Sequence, residues 1–233
     1  MKTKKPTKIR DYFLTKEVFS ISKIKNLDVF QTLPKTDKEN IKKYYKSKNY
    51  LSHNNNKTFF SFLYLGVKRL NFYFKYRVLK KASSHKNRLL DFGSGNAYFV
   101  SKLNQNGGQA YAYDTFYNQV SNKTVEPQNV LVNESDLIAS KFKTVTMWHS
   151  LEHVFSYKNT LSMVFDIHDY KGCLIVACPN YKSFDAVYYK KFWAGYDVPR
   201  HYWHFSPKGL IDVMSFSIKA WAFLYFISFV SLP

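Results

Sequence analysis

Leu89-Leu90-Asp91-Phe92-Gly93-Ser94-Gly95-Asn96-Ala97 is the stretch whose reading decides the fold of this 233-residue chain. Leu89 to Phe92 is a short apolar run of strand type, and two glycines break it sharply. A helical pattern then runs from Ala97 to Asn106 and stops at Gly107-Gly108. Outward from this unit the alternation repeats. Ala110 to Tyr113 is a second strand ending at Asp114, Val130 to Val132 a third and Thr144 to Met147 a fourth. A helix over about Tyr157 to Asp169 leads to a fifth strand within Gly172 to Asn180. Strands alternating with helices at this spacing predict βαβ units and a doubly wound, mostly parallel sheet with helices on both faces. The strands read as unbroken apolar runs, as strands buried on both faces do.

The glycine turn also carries the chemistry. Glycine there lets the backbone turn tightly and approach a ligand with no side chain between them. Asp114, at the end of the next strand, is placed to accept two hydrogen bonds from ribose hydroxyls. A dinucleotide fingerprint, G-x-G-x-x-G, requires glycine where this chain has Tyr98. Asp91 would repel a pyrophosphate but suits a ligand with a cationic amino-acid end. No Walker G-x-x-x-x-G-K-[ST] sequence occurs.

On these residues the chain resembles the class I S-adenosylmethionine methyltransferases, a family with a Rossmann-like core. LLDFGSGNAYF is similar to their first motif and AYAYD to their second. VTMWHSLEHV, GCLIVACPN and the block WAGYDVPRHYWHFSPKGL (Trp193 to Leu210) resemble the subgroup that includes ubiquinone-pathway O-methyltransferases. The resemblance spans about Tyr44 to Met214. It implies S-adenosyl-L-methionine as cofactor. Asp91, Gly93, Ser94 and Gly95 would hold its methionine end, Asp114 its ribose, and Glu134 or Asp136 its adenine. The alternatives are that the glycines only make a turn and that Glu134 and Asp136 are solvated loop acids.

The chain departs from the family at three places. Ala97 replaces a third glycine. Lys23 to Leu27 stands where bacterial relatives carry a Cys-x-x-Cys zinc-ribbon-like piece, without its thiols. The relatives' closing strand hairpin is incomplete, because only about twenty residues follow Met214 and no Gly, Asn or Asp occurs after Asp212.

Two groups of residues are candidates for the acceptor side. His149-Ser150-Leu151-Glu152-His153 reads as H-x-x-E-H, the inverted-zincin pattern. His149 directly follows a strand, and a zincin needs both histidines on one helical face, so a protease is rejected. The resemblance instead makes His149, Glu152 and His153 weak candidates for a divalent metal. The alternative is that Glu152 and His153 buttress the helix behind the cofactor. The second group is Asp197, Arg200, His201 and His204. Histidine is the common base near neutral pH, and arginine binds acidic groups, so His153, His201 and Arg200 are the catalytic candidates. These residues pairing with one another to fix a loop is the other reading.

The boundaries drawn from the sequence are a polar arm over 1–45, a helical cover over 46–86, the methyltransferase core over 87–215 and an apolar tail over 216–233. The stretch Thr58 to Lys81 reads as one or two amphipathic helices, serving as a cover for the sheet, a lid or a membrane-surface helix. The tail is expected either to leave an apolar sheet edge that drives dimerisation or to touch a membrane surface with Trp221, Phe223, Tyr225 and Phe226.

Composition excludes some classes. Met1 to Arg10 has no apolar secretory core, and Ala220 to Val230 is shorter than the about 20 residues a bilayer requires, so a cytoplasmic protein is expected. The net charge of +19 invites a nucleic-acid partner, but arginine occurs only at Arg10, Arg69, Arg77, Arg88 and Arg200. A lysine excess beside abundant Asn, Tyr, Phe and Ile is what A/T-rich codons produce, so nucleic acid is disfavoured. Cys173 and Cys178, five apart, fall on opposite faces of a strand and cannot bridge. The expected activity is methyl transfer to a small molecule, lipid precursor or glycan. The rival readings are a decayed, non-catalytic protein and an RNA methyltransferase, the latter lacking an N/D-P-P-[YF] motif.

Overall fold

The computed structural model describes residues 7–37, 39–45, 59–115, 129–131 and 133–215. In chain order the elements are β1 (Thr7–Arg10), β2 (Val18–Lys23), β3 (Val29–Leu33), α1 (Phe59–Ala82), β4 (Arg88–Phe92), α2 (Tyr98–Gln105), β5 (Gln109–Tyr113), β6 (Val130–Leu131), α3 (Glu134–Ile138), β7 (Phe142–Trp148), α4 (Tyr157–Ile167), β8 (His168–Ala177), α5 (Phe184–Tyr189), β9 (Trp203–Phe205) and α6 (Pro207–Ser215). The five strands read from the sequence form one sheet in the order β6-β5-β4-β7-β8, and every neighbouring pair is parallel.

The strands are buried on both faces, and side-chain alternation sorts them into two cores. Leu90, Phe92, Val145, Met147, Leu174 and Val176 face α4 and α6. Leu89, Ala110, Ala112, Cys173 and Ile175 face Leu79 of α1 and Val100 and Leu103 of α2. Cys173 and Cys178 are free and buried and fall in different cores, as their odd separation requires. Two threonines in the middle of β7 are fully buried, and both hydroxyls are partnered. Thr144 Oγ1 lies 2.7 Å from Ser83 Oγ, and Thr146 Oγ1 donates to Asp91 at 2.7 Å.

From β4 the chain winds outward through β5 to β6, then returns to the other side of β4 with β7. That reversal is a topological switch point, and ligands of such sheets bind beyond the carboxyl ends of the strands there. The glycine turn, Asp114, the 149–153 segment and Cys178 all follow strand ends on this side.

The first 45 residues offered few period signals as sequence, yet they contain an antiparallel meander, β1-β2-β3. β9, taken from the Trp193 to Leu210 block, pairs antiparallel with β3 and makes it a four-stranded sheet. The meander was hard to read because its strands are short and bury only alternate residues, such as Phe19 and Ile21, between polar ones. Within the stretch read as one or two helices, the described residues form a single helix, α1, packed on the sheet through Val78 and Leu79. It leaves Val67, Leu70 and Tyr73 exposed. Among the described residues no helix is long and apolar enough to cross a membrane. The apolar tail and the incomplete hairpin expected over 216–233 lie outside the described residues.

Candidate active site

Three consecutive odd positions after β4 adopt left-handed backbone: Gly93 (φ 77°), Gly95 (φ 57°) and Ala97 (φ 57°). Their glycine requirements differ. A Cβ on Gly93 would lie 2.3 Å from Ser150 Cβ, so this glycine lets the turn pack on the loop after β7. A Cβ on Gly95 would meet nothing within 4 Å, so that position faces open space. The turn is held by β5: Gly93 and Ser94 donate to the Tyr113 carbonyl at 2.8 and 3.2 Å, and the Gly95 amide donates to Asp114 Oδ2 at 2.8 Å. Asp114, half-buried, is thereby drawn against the glycine turn.

Asp91 is 3 % exposed, on the α1 side of the sheet. Burial pushes its pKa up, opposed by the Lys75 ammonium and the Thr146 hydrogen bond. Three buried polar atoms around the turn have no hydrogen-bond partner: Ser94 Oγ, Ser150 Oγ and Trp148 Nε1. Buried polar groups are normally satisfied, so three orphans beside an open glycine face fit a polar ligand completing them. Asp136 is exposed in the first turn of α3, where its carboxylate accepts from the Asn133 amide at 3.4 Å; Glu134 beside it is exposed too.

The second candidate group gathers below the loop after β7. His149 has left-handed backbone (φ 54°), which costs a non-glycine residue about 1–2 kcal/mol. Its Nδ1 lies 3.5 Å from Glu152 Oε1, too long for a good hydrogen bond. Glu152 is 1 % exposed, and neither carboxylate oxygen has a hydrogen-bond partner. His153 and His201 pack edge to face with ring centroids 4.5 Å apart. Each ring's Nδ1 faces a backbone carbonyl: His153 that of Arg200 at 3.1 Å, His201 that of Gly195 at 2.9 Å. A carbonyl only accepts, so the contact to Gly195 favours hydrogen on His201 Nδ1, while His201 Nε2 lies 3.8 Å from Asp197 Oδ2. One ligand atom each of Glu152, His153 and His201 lies within 4.8 Å of the others. The donor set is thus Glu152, His153 and His201, with His149 at its edge rather than within it.

Burial pushes His153 down to about 4, aided by His201, and burial pushes His204 down to about 3. Both are neutral at pH 7. Their depressed values fix the sign of the pH dependence. Below about pH 6.5 the unfolded chain takes up protons on these rings and the folded chain does not. Stability is therefore complete above 6.5 and falls as pH drops towards 4. The urea midpoint should be lower at pH 5 than at pH 7, and the His204→Asn variant should show a shallower drop. A midpoint independent of pH over this range would contradict the burial of these rings.

Arg200 is a surprise relative to its candidacy as an acceptor ligand. It is 2 % exposed, and its guanidinium is engaged by the fold. Nε and Nη2 donate to Asp197, Nη1 to the Tyr44 carbonyl at 3.1 Å, and Nη2 to Asp11 at 3.2 Å. Asp11 in turn accepts from the amides of Phe13, Leu14 and Thr15. Arg200 ties the meander and Tyr44 to the block that carries His201. Tyr45 belongs to the same junction, its hydroxyl 3.1 Å from His153 Nδ1. The sequence reading did not nominate Tyr45, Lys75, Trp148 or Ser150. Tyr45 and Lys75 are far in sequence from every motif, and no local pattern distinguishes them from neighbouring tyrosines and lysines.

A glycine turn at the switch point of a parallel sheet, with acids on both sides and no phosphate-binding glycine set, is the arrangement of a class I methyl-transfer fold. Residues 65–215 match the family model described as a methyltransferase domain, and the chain belongs to that family. No curated protein matches it. Among solved structures it is similar to magnesium protoporphyrin IX methyltransferase from Synechocystis, crystallised with S-adenosylhomocysteine. The identity is 16 % and the TM-score 0.52, over 78 % of this chain and 89 % of that one. A methyltransferase from Archaeoglobus fulgidus matches at 20 % identity and TM-score 0.48, over 66 % and 67 % of the two chains. A possible histamine N-methyltransferase from Thermotoga maritima matches at 19 % and 0.43, over 56 % and 63 %, so the chain spans less than two thirds of that protein's length.

Proposed function

We propose that this protein transfers a methyl group from S-adenosyl-L-methionine to a small-molecule acceptor. The observation that carries the reading is the glycine turn, open at Gly95, flanked by Asp91 and Asp114 and ringed by orphaned polar atoms. The residues present fit the cofactor: Asp91 suits its ammonium, Asp114 its ribose hydroxyls, and the Ser94, Ser150 and Trp148 groups its polar edges. Family membership supports the same chemistry. The neighbours' cofactor product points the same way, and we extend it to this chain as part of the proposal.

When bound, the cofactor supplies an electrophilic methyl on sulfur. The acceptor's lone pair forms the new bond to that carbon, and the breaking carbon–sulfur bond returns its electrons to sulfur. The protein's task is to align the acceptor and take up its proton. We assign the base to His153 or His201, whose Nδ1 atoms are engaged by backbone carbonyls, with His201 Nε2 3.8 Å from Asp197 Oδ2. In the other arrangement the same three residues, Glu152, His153 and His201, would hold a divalent cation that polarises an acceptor oxygen, and neither ring would then serve as the base. Arg200 and Asp197 hold the loop that positions His201.

The direct test is calorimetry with S-adenosylmethionine, then a screen of acceptors with methyl-labelled cofactor. Asp114→Ala removes charge-assisted hydrogen bonds worth roughly 1.5–3 kcal/mol. Affinity should fall by about tenfold to a hundredfold. An unchanged dissociation constant would remove Asp114 from the site. Absence of binding by the parent chain would favour a decayed, non-catalytic member of the family.

A further inference from the structure

Lys75 projects from α1 into the cofactor side of the sheet. Its ammonium lies 5.4 Å from the centroid of Trp148 and 5.6 Å from that of Phe99, and these two rings pack edge to face at 6.1 Å. Trp148 ends β7 and Phe99 lies in the first turn of α2, so both border the glycine turn. Burial lowers the lysine's pKa, and the Asp91 carboxylate opposes that shift. Asp91 is buried and Lys75 half-buried, and the two form no ion pair within 4.0 Å. A buried carboxylate with its nearest cation out of contact is costly unless something completes it.

The methionine end of the proposed cofactor carries both charges, an α-ammonium and an α-carboxylate. Asp91 matches the first and repels the second. Lys75 is the complementary group, and its two ring neighbours hold it while leaving its hydrogen-bond donors unused, since indole and phenyl faces accept none of ordinary strength. We propose that Lys75 binds the cofactor's α-carboxylate and so selects the intact amino-acid end, while Asp91 takes the ammonium. The inference rests on the cofactor reading above. It makes α1 part of the binding site rather than only a cover for the sheet.

The test compares S-adenosylmethionine with decarboxylated S-adenosylmethionine, which keeps the amine and sulfonium and lacks only the carboxylate. The parent should prefer the intact cofactor. Lys75→Met keeps length and apolar contact with both rings. It should weaken S-adenosylmethionine by roughly tenfold to a hundredfold, the range for a charge-assisted contact. Binding of the decarboxylated compound should be unchanged or tighter, because a like charge beside its ammonium is gone. That retained binding also reports that the variant is folded. Lys75→Arg should restore most of the preference. Equal loss for both compounds, or loss for neither, would overturn the assignment. A parent that binds neither compound would instead overturn the cofactor reading itself.

Discussion

Gly95→Val is expected to abolish binding of S-adenosylmethionine while leaving a folded protein. The position has φ 57°, and a left-handed β-branched residue costs more than the about 1–2 kcal/mol of an ordinary side chain. No protein atom lies within 4 Å of the new Cβ, so the fold itself has room for the substitution. The space it fills is the open face of the turn, where the ligand's backbone contacts would form. Calorimetry should find no binding at concentrations that saturate the parent, with a melting temperature lowered only modestly. Gly93→Val should behave oppositely, because its Cβ would collide with Ser150 and the damage falls on folding first. If Gly95→Val bound as the parent does, the open face would not be the cofactor face.

Arg200→Met should cost the most stability. The guanidinium compensates Asp11, whose side chain is fully buried, and most of Asp197. Removing one partner of a buried pair leaves an uncompensated charge and costs roughly 3–5 kcal/mol. At about 2–4 °C per kcal/mol for a chain of this size, the melting temperature should fall by roughly 6–20 °C. If Arg200 served instead to bind the acceptor, the loss would appear in activity with little change in melting. Urea denaturation beside an activity assay separates the two. Wild-type stability in the variant would contradict the network.

The parallel sheet was legible because its information is local. Buried strands need apolar runs such as Leu89 to Phe92 and Thr144 to Met147, and glycine is the residue that turns the chain at a ligand-facing strand end. The acids at Asp91 and Asp114 could be named because each sits at a fixed offset from those signals. The meander was less legible: its strands are half-exposed and polar, and their partner β9 lies some 170 residues away in sequence. His153 and His201 could be nominated but not joined, since only the fold brings their rings within 4.5 Å.

The sequence by itself determined the succession of βαβ units, the glycine turn and the acids beside it. Periodicity and backbone freedom are properties of neighbouring residues, and a reader of neighbours can recover them. Tertiary structure decided the roles of the long polar side chains. Arg200 was a candidate ligand on its chemistry, and packing against Asp11 and Tyr44 engaged its donors within the fold. Lys75 was one lysine among many, and its place beside the Trp148 and Phe99 rings set it apart. A charged group's role depends on which opposite charges and how much water surround it, and that is fixed only when distant segments meet.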